Sequence, residues 1–561
     1  MKSSIRAGVA LALALGLCTT PRLVDAFCGF YVAGADASLY NDATMVVLMR
    51  DGKRTVLAMQ NDYQGPPEDF ALVIPVPVVL QEDDVKTLAK DVFERIDRLA
   101  APRLVEYWEE DPCQARIQLE TTKSAEGNGA IPAPSPVDPE TGVKIEAQFE
   151  VGEYQVVILS AQDSTGLDTW LRQEKYNIPE GAEPVLRPYV EGGMKFFVAK
   201  VDIEKVQFVS KPDGGKRALL SPLRFHYDSE EFSLPVRLGL INARGPQDLL
   251  IHILAPQRYQ AANYPNVTIP TNLVVKDQTR EHFGEFYVSL FDHTLAQTPK
   301  AIVTEYAWAA GSCDPCPDEP MTFAELVTLG ANVLPRYAES FDEQGSLKSG
   351  AEDLEWRMQS EFVLTRLHAR YDKDSLGEDL VFEEAKPIVG GRGTPHDRGK
   401  LDPQVVEQVG GYNAFQARYA ILHFWEGDVQ CKDPLWDSWG GPPSGSSSKP
   451  PAVARELAFA PRDAELATYV SAAAHETLKL AGTPPADPVP NRQPQSDKQP
   501  DTQPDKQADK PAKSPEAKSP EAAKGCQCSV DEHEGGPLAG LLGLGLLGLL
   551  RAGRRRARQE G

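Results

Sequence analysis

The chain has 561 residues, with 81 Asp and Glu against 58 Lys and Arg and a formal net charge of −23. A surface that acidic repels nucleic-acid phosphates and anionic lipid, so neither nucleic acid nor a phosphate ligand is expected as a partner. Hydrophobic residues make up 41%, enough for a packed core over most of the length, and the length allows one large domain or two to three smaller ones.

Residues 1–26 read as a signal peptide. Lys2 and Arg6 form a basic start, Val9 to Leu17 an apolar run, and Val24-Asp25-Ala26 a cleavage region with Phe27 as the first mature residue. The apolar run falls well short of the roughly 20 residues a membrane span needs. Export favours disulfides, so Cys28, Cys113, Cys313, Cys316 and Cys431 are disulfide candidates. Their number is odd, which leaves one thiol over or paired elsewhere.

Residues 27–481 are expected to form a strand-rich α+β ectodomain with a few amphipathic helices, as a single domain or as two subdomains. Thr44 to Arg50 and Thr55 to Gln60 predict a hairpin across Asp51-Gly52. Phe70 to Pro77 predicts a strand that Pro75 and Pro77 push toward a sheet edge. Val85, Leu88, Ala89, Val92, Ile96 and Leu99 recur at helical spacing behind Asp84 as an N-cap. Residues 121–143 lack period and predict a long surface loop. Tyr154 to Ser160 predicts a strand, followed by a short helix capped by Asp163 with Leu167, Trp170 and Leu171 on one face. Further strands are expected at Met194 to Val201, Leu249 to Ala255, Phe286 to Phe291 and Phe362 to Tyr371. Thr322 and Glu325 form a capping-box pattern opening a helix through Leu329. Strands do not alternate regularly with helices, which argues against a doubly wound parallel sheet.

From 482 to 525 Pro, Gln, Asp, Lys and Ala dominate, and this is read as a disordered stalk. In extended polyproline conformation it could span roughly 130 Å. Residues 526–561 hold Cys526 and Cys528, an apolar segment at 537–550 and a cluster of arginines from Arg551 to Arg558. As a helix the apolar segment is about 21 Å long, against roughly 30 Å of hydrocarbon. That is short for a permanent anchor and tolerable in a segment retained only until processing.

Phe27-Cys28-Gly29-Phe30, DFALVIPVP at 69–77, LSAQDSTGLDTWL at 159–171, Cys313-Asp-Pro-Cys316-Pro317, FVLTRLHARY at 362–371 and FQARYAILHFW at 415–425 together resemble domain-of-unknown-function family 2330. That resemblance implies an exported bacterial domain and no activity. The tail resembles the sorting signal of myxobacterial surface proteins, a cysteine motif after a low-complexity spacer, then an apolar segment, then arginines. It implies membrane contact through the tail and a sortase-like membrane protease acting near Cys526 and Cys528, which become a processing or lipidation point. The acidic run from Asp531 to Glu534 departs from the pattern.

Chemical motifs are sparse. Cys313-Asp-Pro-Cys316 could be a redox pair, half a zinc site or a structural disulfide, within the pair or to Cys28, Cys113 or Cys431. Asp314, Asp318 and Glu319 would raise a thiol pKa, and no second ligand pair completes a metal set, so the structural disulfide is expected. His475-Glu476 begins like a zinc-protease helix, but Lys479 stands where the second His belongs. No nucleophile elbow, P-loop or dinucleotide fingerprint appears, so no cofactor or metal is expected. Arg366, His368 and Arg370 alternate along one strand and so share a face. With Asp379, Glu383 and Glu384 nearby in sequence, they are the candidate binding residues for a carboxylate or glycan, against the plainer reading of a solvated, ion-paired sheet face. Arg418 and His423 with Trp425, Trp436 and Trp439 could form an aromatic wall, against ordinary core packing. The expected function is that of an exported, surface-anchored binding or structural envelope protein. The alternative is a surface hydrolase with an acidic/His site.

Overall fold

The computed structural model describes residues 30–31, 44–60, 71–113, 143–210, 216–242, 246–372 and 377–486, apart from 444–449, 455–459 and a few scattered positions. All of these fall within one compact unit, Met1–Arg492. Cys28, the proposed stalk from 487 on and the tail with Cys526 and Cys528 lie outside the described residues, as does the expected loop up to 142.

The architecture is α+β and rich in strands. A mixed 11-stranded sheet forms its spine. Its middle runs Ile302–Ala309, Val363–Tyr371, Gln247–Ala255, Thr44–Asp51, Arg54–Gln60 and Leu223–Asp228. The expected hairpin is present, with Asp51 paired to Arg54 across a two-residue loop. Gly52, first in that loop, has φ 57°, a backbone that glycine reaches without a Cβ clash.

One face of the spine packs on a five-stranded antiparallel sheet. Val46, Leu48, Ile251 and Ile253 meet Ile74, Val156, Ile158 and Phe197 there. Ala71–Val76 belongs to this second sheet and carries Pro75 opposite Phe196. The short Phe30–Tyr31 strand reaches only Leu72 and Val73 on the other side. Pro75, which lacks an N–H, therefore lies where that edge has no strand partner among the described residues. Ser164–Gln173 and Glu183–Glu191 cover the outer face of this sheet. Asp163 caps the first of them, accepting from the Gly166 N–H at 2.7 Å, with Leu167 and Leu171 buried.

The opposite face of the spine carries two apolar clusters. In the first, Val47, Met49, Val56 and Ala58 pack against Asp91–Ala100, Phe323–Leu329 and Leu354–Glu361. The Thr322–Glu325 capping box is formed as expected. In the second, Phe283–Gln297 lies on Val303, Ala307 and Phe415 and on a small sheet that pairs Arg103–Glu109 with Arg418–His423 in parallel.

Two expectations are corrected. Phe286 to Phe291 is not a strand but the middle of the Phe283–Gln297 helix. Phe283, Phe286, Tyr287, Leu290, Phe291 and Thr294 are buried at spacings of three and four, the helical stripe that a short aromatic run conceals. The helix expected from Val85 begins only at Asp91. Val85–Thr87 is instead a strand, because pairing to Leu223–Phe225 is available there. Asp84 accepts from the Gln81 N–H in a preceding 3-10 turn.

Candidate functional site

Arg366, His368 and Arg370 do share a face, the one that carries the two apolar clusters. They lie between those clusters, so Arg366 and His368 are buried rather than solvated. Their partners do not come from the neighbouring sequence. Asp379 binds Tyr189 and Arg237, and Glu383 binds Gln260.

Glu305 is the central acceptor. Pairing of Ile302–Ala309 with Val363–Tyr371 shifts register between Thr304 and Tyr306, which leaves Glu305 as an inserted residue. Such a bulge re-aims a side chain that regular alternation would send elsewhere. Glu305 accepts from Tyr287 Oη at 2.5 Å, from His368 Nδ1 at 2.7 Å and from Arg366 Nε at 2.7 Å. Arg366 also donates to Asp97 Oδ1 at 2.7 Å. His368 Nε2 lies 3.1 Å from Asp248 Oδ1, and Arg370 and Arg462 share Asp248 Oδ2 at 2.6 and 2.9 Å. Arg462 reaches on to Asp292 at 2.5 Å. The Phe291 ring stacks on His368 with centroids 4.0 Å apart.

The electrostatics close on themselves. Burial opposes ionisation of Glu305, yet His368 and Arg366 hold it down at about 2. Asp248 is likewise held at about 2, against burial, by His368, Arg462 and Arg370. Burial works against a charged His368, but Glu305 and Asp248 outweigh it and raise its pKa. Glu305, Asp248, Asp97 and Asp292 thus balance Arg366, Arg370, Arg462 and an imidazolium. Both ring nitrogens of His368 face carboxylates, so neither is left to take a proton from a substrate. His252, opposite Arg366 on the adjacent strand, is fully buried, and burial together with Arg366 pushes it well below its ordinary value.

The second expected cluster is divided. Arg418 and His423 point to opposite faces of the small sheet, as odd spacing along a strand requires. His423 stacks on Trp108 at 4.5 Å and meets Glu106 at 2.7 Å, and Glu106 is also held by Arg280. Trp439 is buried edge-on against Phe424. Arg418 is buried, on the same side as Arg103, its register partner.

The cysteines form two disulfides. Cys113 pairs with Cys431 across 318 residues, and Cys313 pairs with Cys316. Of the acids around the second, Asp318 is neutralised from a distance in sequence: it lies 2.6 Å from both Arg95 and Arg98 of the Asp91–Ala100 helix. Among the described residues no group of three or more His, Cys, Asp or Glu is placed to hold a metal.

Residues 23–383 match the family described as an uncharacterized protein conserved in bacteria, DUF2330. The chain belongs to the DUF2330 family. The match covers the spine strands through Val363–Tyr371, and with them Glu305, Arg366, His368 and the Cys313–Cys316 pair. No curated protein and no solved structure matches the DUF2330 chain.

Proposed function

We propose that this DUF2330 protein is exported and held at the cell surface, where its domain binds a ligand or contributes structure to the envelope. The observation that carries the reading is the state of the cysteines. Cys113–Cys431 and Cys313–Cys316 are both bonded, which suits an oxidising compartment and agrees with the basic and apolar segments of residues 1–26. The tail at 526–561 supports anchoring: its apolar 537–550 segment would sit in the membrane while a sortase-like protease acts near Cys526 and Cys528. The 482–525 stalk would then project the domain from its anchor. The hydrolase alternative finds no support at His368, whose two nitrogens are already engaged.

Protease treatment of intact cells carrying a tagged ectodomain tests the location. Digestion of the tag is expected, and protection would overturn the surface assignment. Intact mass with thiol counting on the mature chain should give two ectodomain disulfides. Saturable labelling of a single residue by hydrolase-directed probes would reinstate the alternative.

A further inference from the structure

Arg103 and Arg418 are register partners in the small sheet, both buried. Among the described residues, every group their side chains bond is neutral. Arg418 donates to Asn272 Oδ1 from Nε at 3.0 Å and Nη2 at 2.7 Å, to the Gly393 carbonyl at 2.6 Å and to Tyr107 Oη at 2.9 Å. Arg103 donates to the Pro315 and Leu99 carbonyls at 2.7 and 2.6 Å, lies 5.3 Å from the Tyr306 ring centroid, and has a buried Nε with no acceptor. Arg392, half-buried, adds a third guanidinium, 5.3 Å from the Trp308 centroid and 3.4 Å from Tyr412 Oη. None of the three makes an ion pair among the described residues.

This is not a shortage of acids, since carboxylates outnumber cations in the chain by 81 to 58. Buried charge without a counter-ion is costly, and like charges packed together add to that cost. Burial depresses the pKa of Arg103, and the fields of Arg418 and Arg366 depress it further. Asp314, whose field reaches Arg418, is exposed and stands outside ion-pair distance. The cluster therefore has room in its charge balance for an anion. It reaches the surface through Arg392, the half-buried Tyr107 and the exposed Gly393 and Tyr412.

We propose that Arg392 and Arg418 bind a small carboxylate-bearing ligand at this opening, with Arg103 strengthening the field from below. This rests on the binding reading above and names its chemistry. The Arg392 guanidinium, bonded through Nη1 to Tyr412 Oη, can present its fork to a carboxylate in bidentate fashion, while Arg418, with four of its five N–H groups engaged, adds one Nη1 N–H. Asp314 at the rim and the acidic surface disfavour a polyanion, so a single negative charge fits best. Tyr107 and Tyr412 offer flat apolar surface for the body of the ligand.

Calorimetric titration of the purified full chain with galacturonate and with acetate is the test, with chloride and inorganic phosphate as matched-ionic-strength comparisons. Saturable binding of at least one carboxylate is expected. Arg392→Gln should weaken it about tenfold or more, the loss of a charge-assisted contact. Arg392 is half-exposed and its guanidinium makes a single long hydrogen bond among the described residues, so the variant's ligand-free melting temperature should be unchanged. Arg187→Gln, on the Glu183–Glu191 helix that covers the outer face of the five-stranded sheet, should leave affinity unaltered. Asp314→Asn should tighten binding several-fold, a gain that a purely structural cluster does not predict. No saturable carboxylate binding, equal affinity in Arg392→Gln, or phosphate binding as tight as carboxylate would each overturn the proposal. None of these outcomes bears on surface exposure, which the protease experiment reads separately.

Discussion

Two groups of buried arginines lie close together in this fold and are treated in opposite ways. Around Glu305, each cation meets a carboxylate within 3.1 Å, and the acids arrive from two strands and two helices remote in sequence. Around Arg418, the guanidinia meet amide, hydroxyl and carbonyl oxygens and aromatic rings, and no carboxylate among the described residues. The first arrangement is complete and acts as a clip between the two apolar clusters. The second leaves net charge and one buried guanidinium N–H, Nε of Arg103, without an acceptor, and a site that lacks an anion is a place for one to bind. Burial alone therefore does not separate a structural cation from a functional one. The charge of its partners does.

The largest expected effect is at the clip. Glu305→Gln leaves Arg366 and His368 facing a neutral amide in a fully buried place, and should destabilise the fold by about 3–5 kcal/mol in denaturant unfolding. A loss below about 1 kcal/mol would show that the paired cluster is not holding the sheet. Opening the Cys113–Cys431 disulfide by Cys113→Ser with Cys431→Ser should cost about 2–5 kcal/mol, because it releases a closed loop of more than three hundred residues. The same treatment of Cys313 and Cys316 should cost about 2 kcal/mol, since that ring is short and Arg103 and Gln416 hold its loop independently.

Within the paired cluster the pH dependence has two signs. Glu305 and Asp248 have pKa values lowered on folding, to about 2 from ordinary values of 4.5 and 3.8. Their contribution is present above the ordinary values and is lost as pH falls from about 4.5 toward 2. His368 has a raised pKa, so its contribution is present at low pH and is lost as pH rises through that raised value. Melting temperature should therefore fall steeply on the acid side, and Glu305→Gln should flatten that limb. The smallest expected effect is the ligand-free stability of Arg392→Gln, within about 0.5 kcal/mol of the parent in the same denaturant assay. A larger loss would place Arg392 in the framework and narrow the contrast.

Elements with local signals were legible. The Asp51-Gly52 turn, the Asp163 cap and the Thr322–Glu325 box each depend on residues within four positions of one another. The 283–297 helix and the Val85–Thr87 strand were missed because packing and pairing with distant segments chose between two periods that a short apolar run permits. At the site, alternation placed Arg366, His368 and Arg370 on one face correctly. Glu305 carried no signal, since only the bulge directs it there. Asp97 and Asp248, 269 and 120 residues from their partners, carried none either. The sharing of cysteines was open between several pairings until the fold brought Cys113 to Cys431.

By itself, the amino-acid order determined the acidic surface, the expectation of export, the α+β character and the shared face of the three cationic residues. These follow from composition and from side-chain period along a chain, which are local properties. Tertiary structure decided what that face meets. Electrostatic partnership depends on distances of a few ångströms between segments hundreds of residues apart, and only the folded sheet decides whether a buried arginine finds a carboxylate or waits for one.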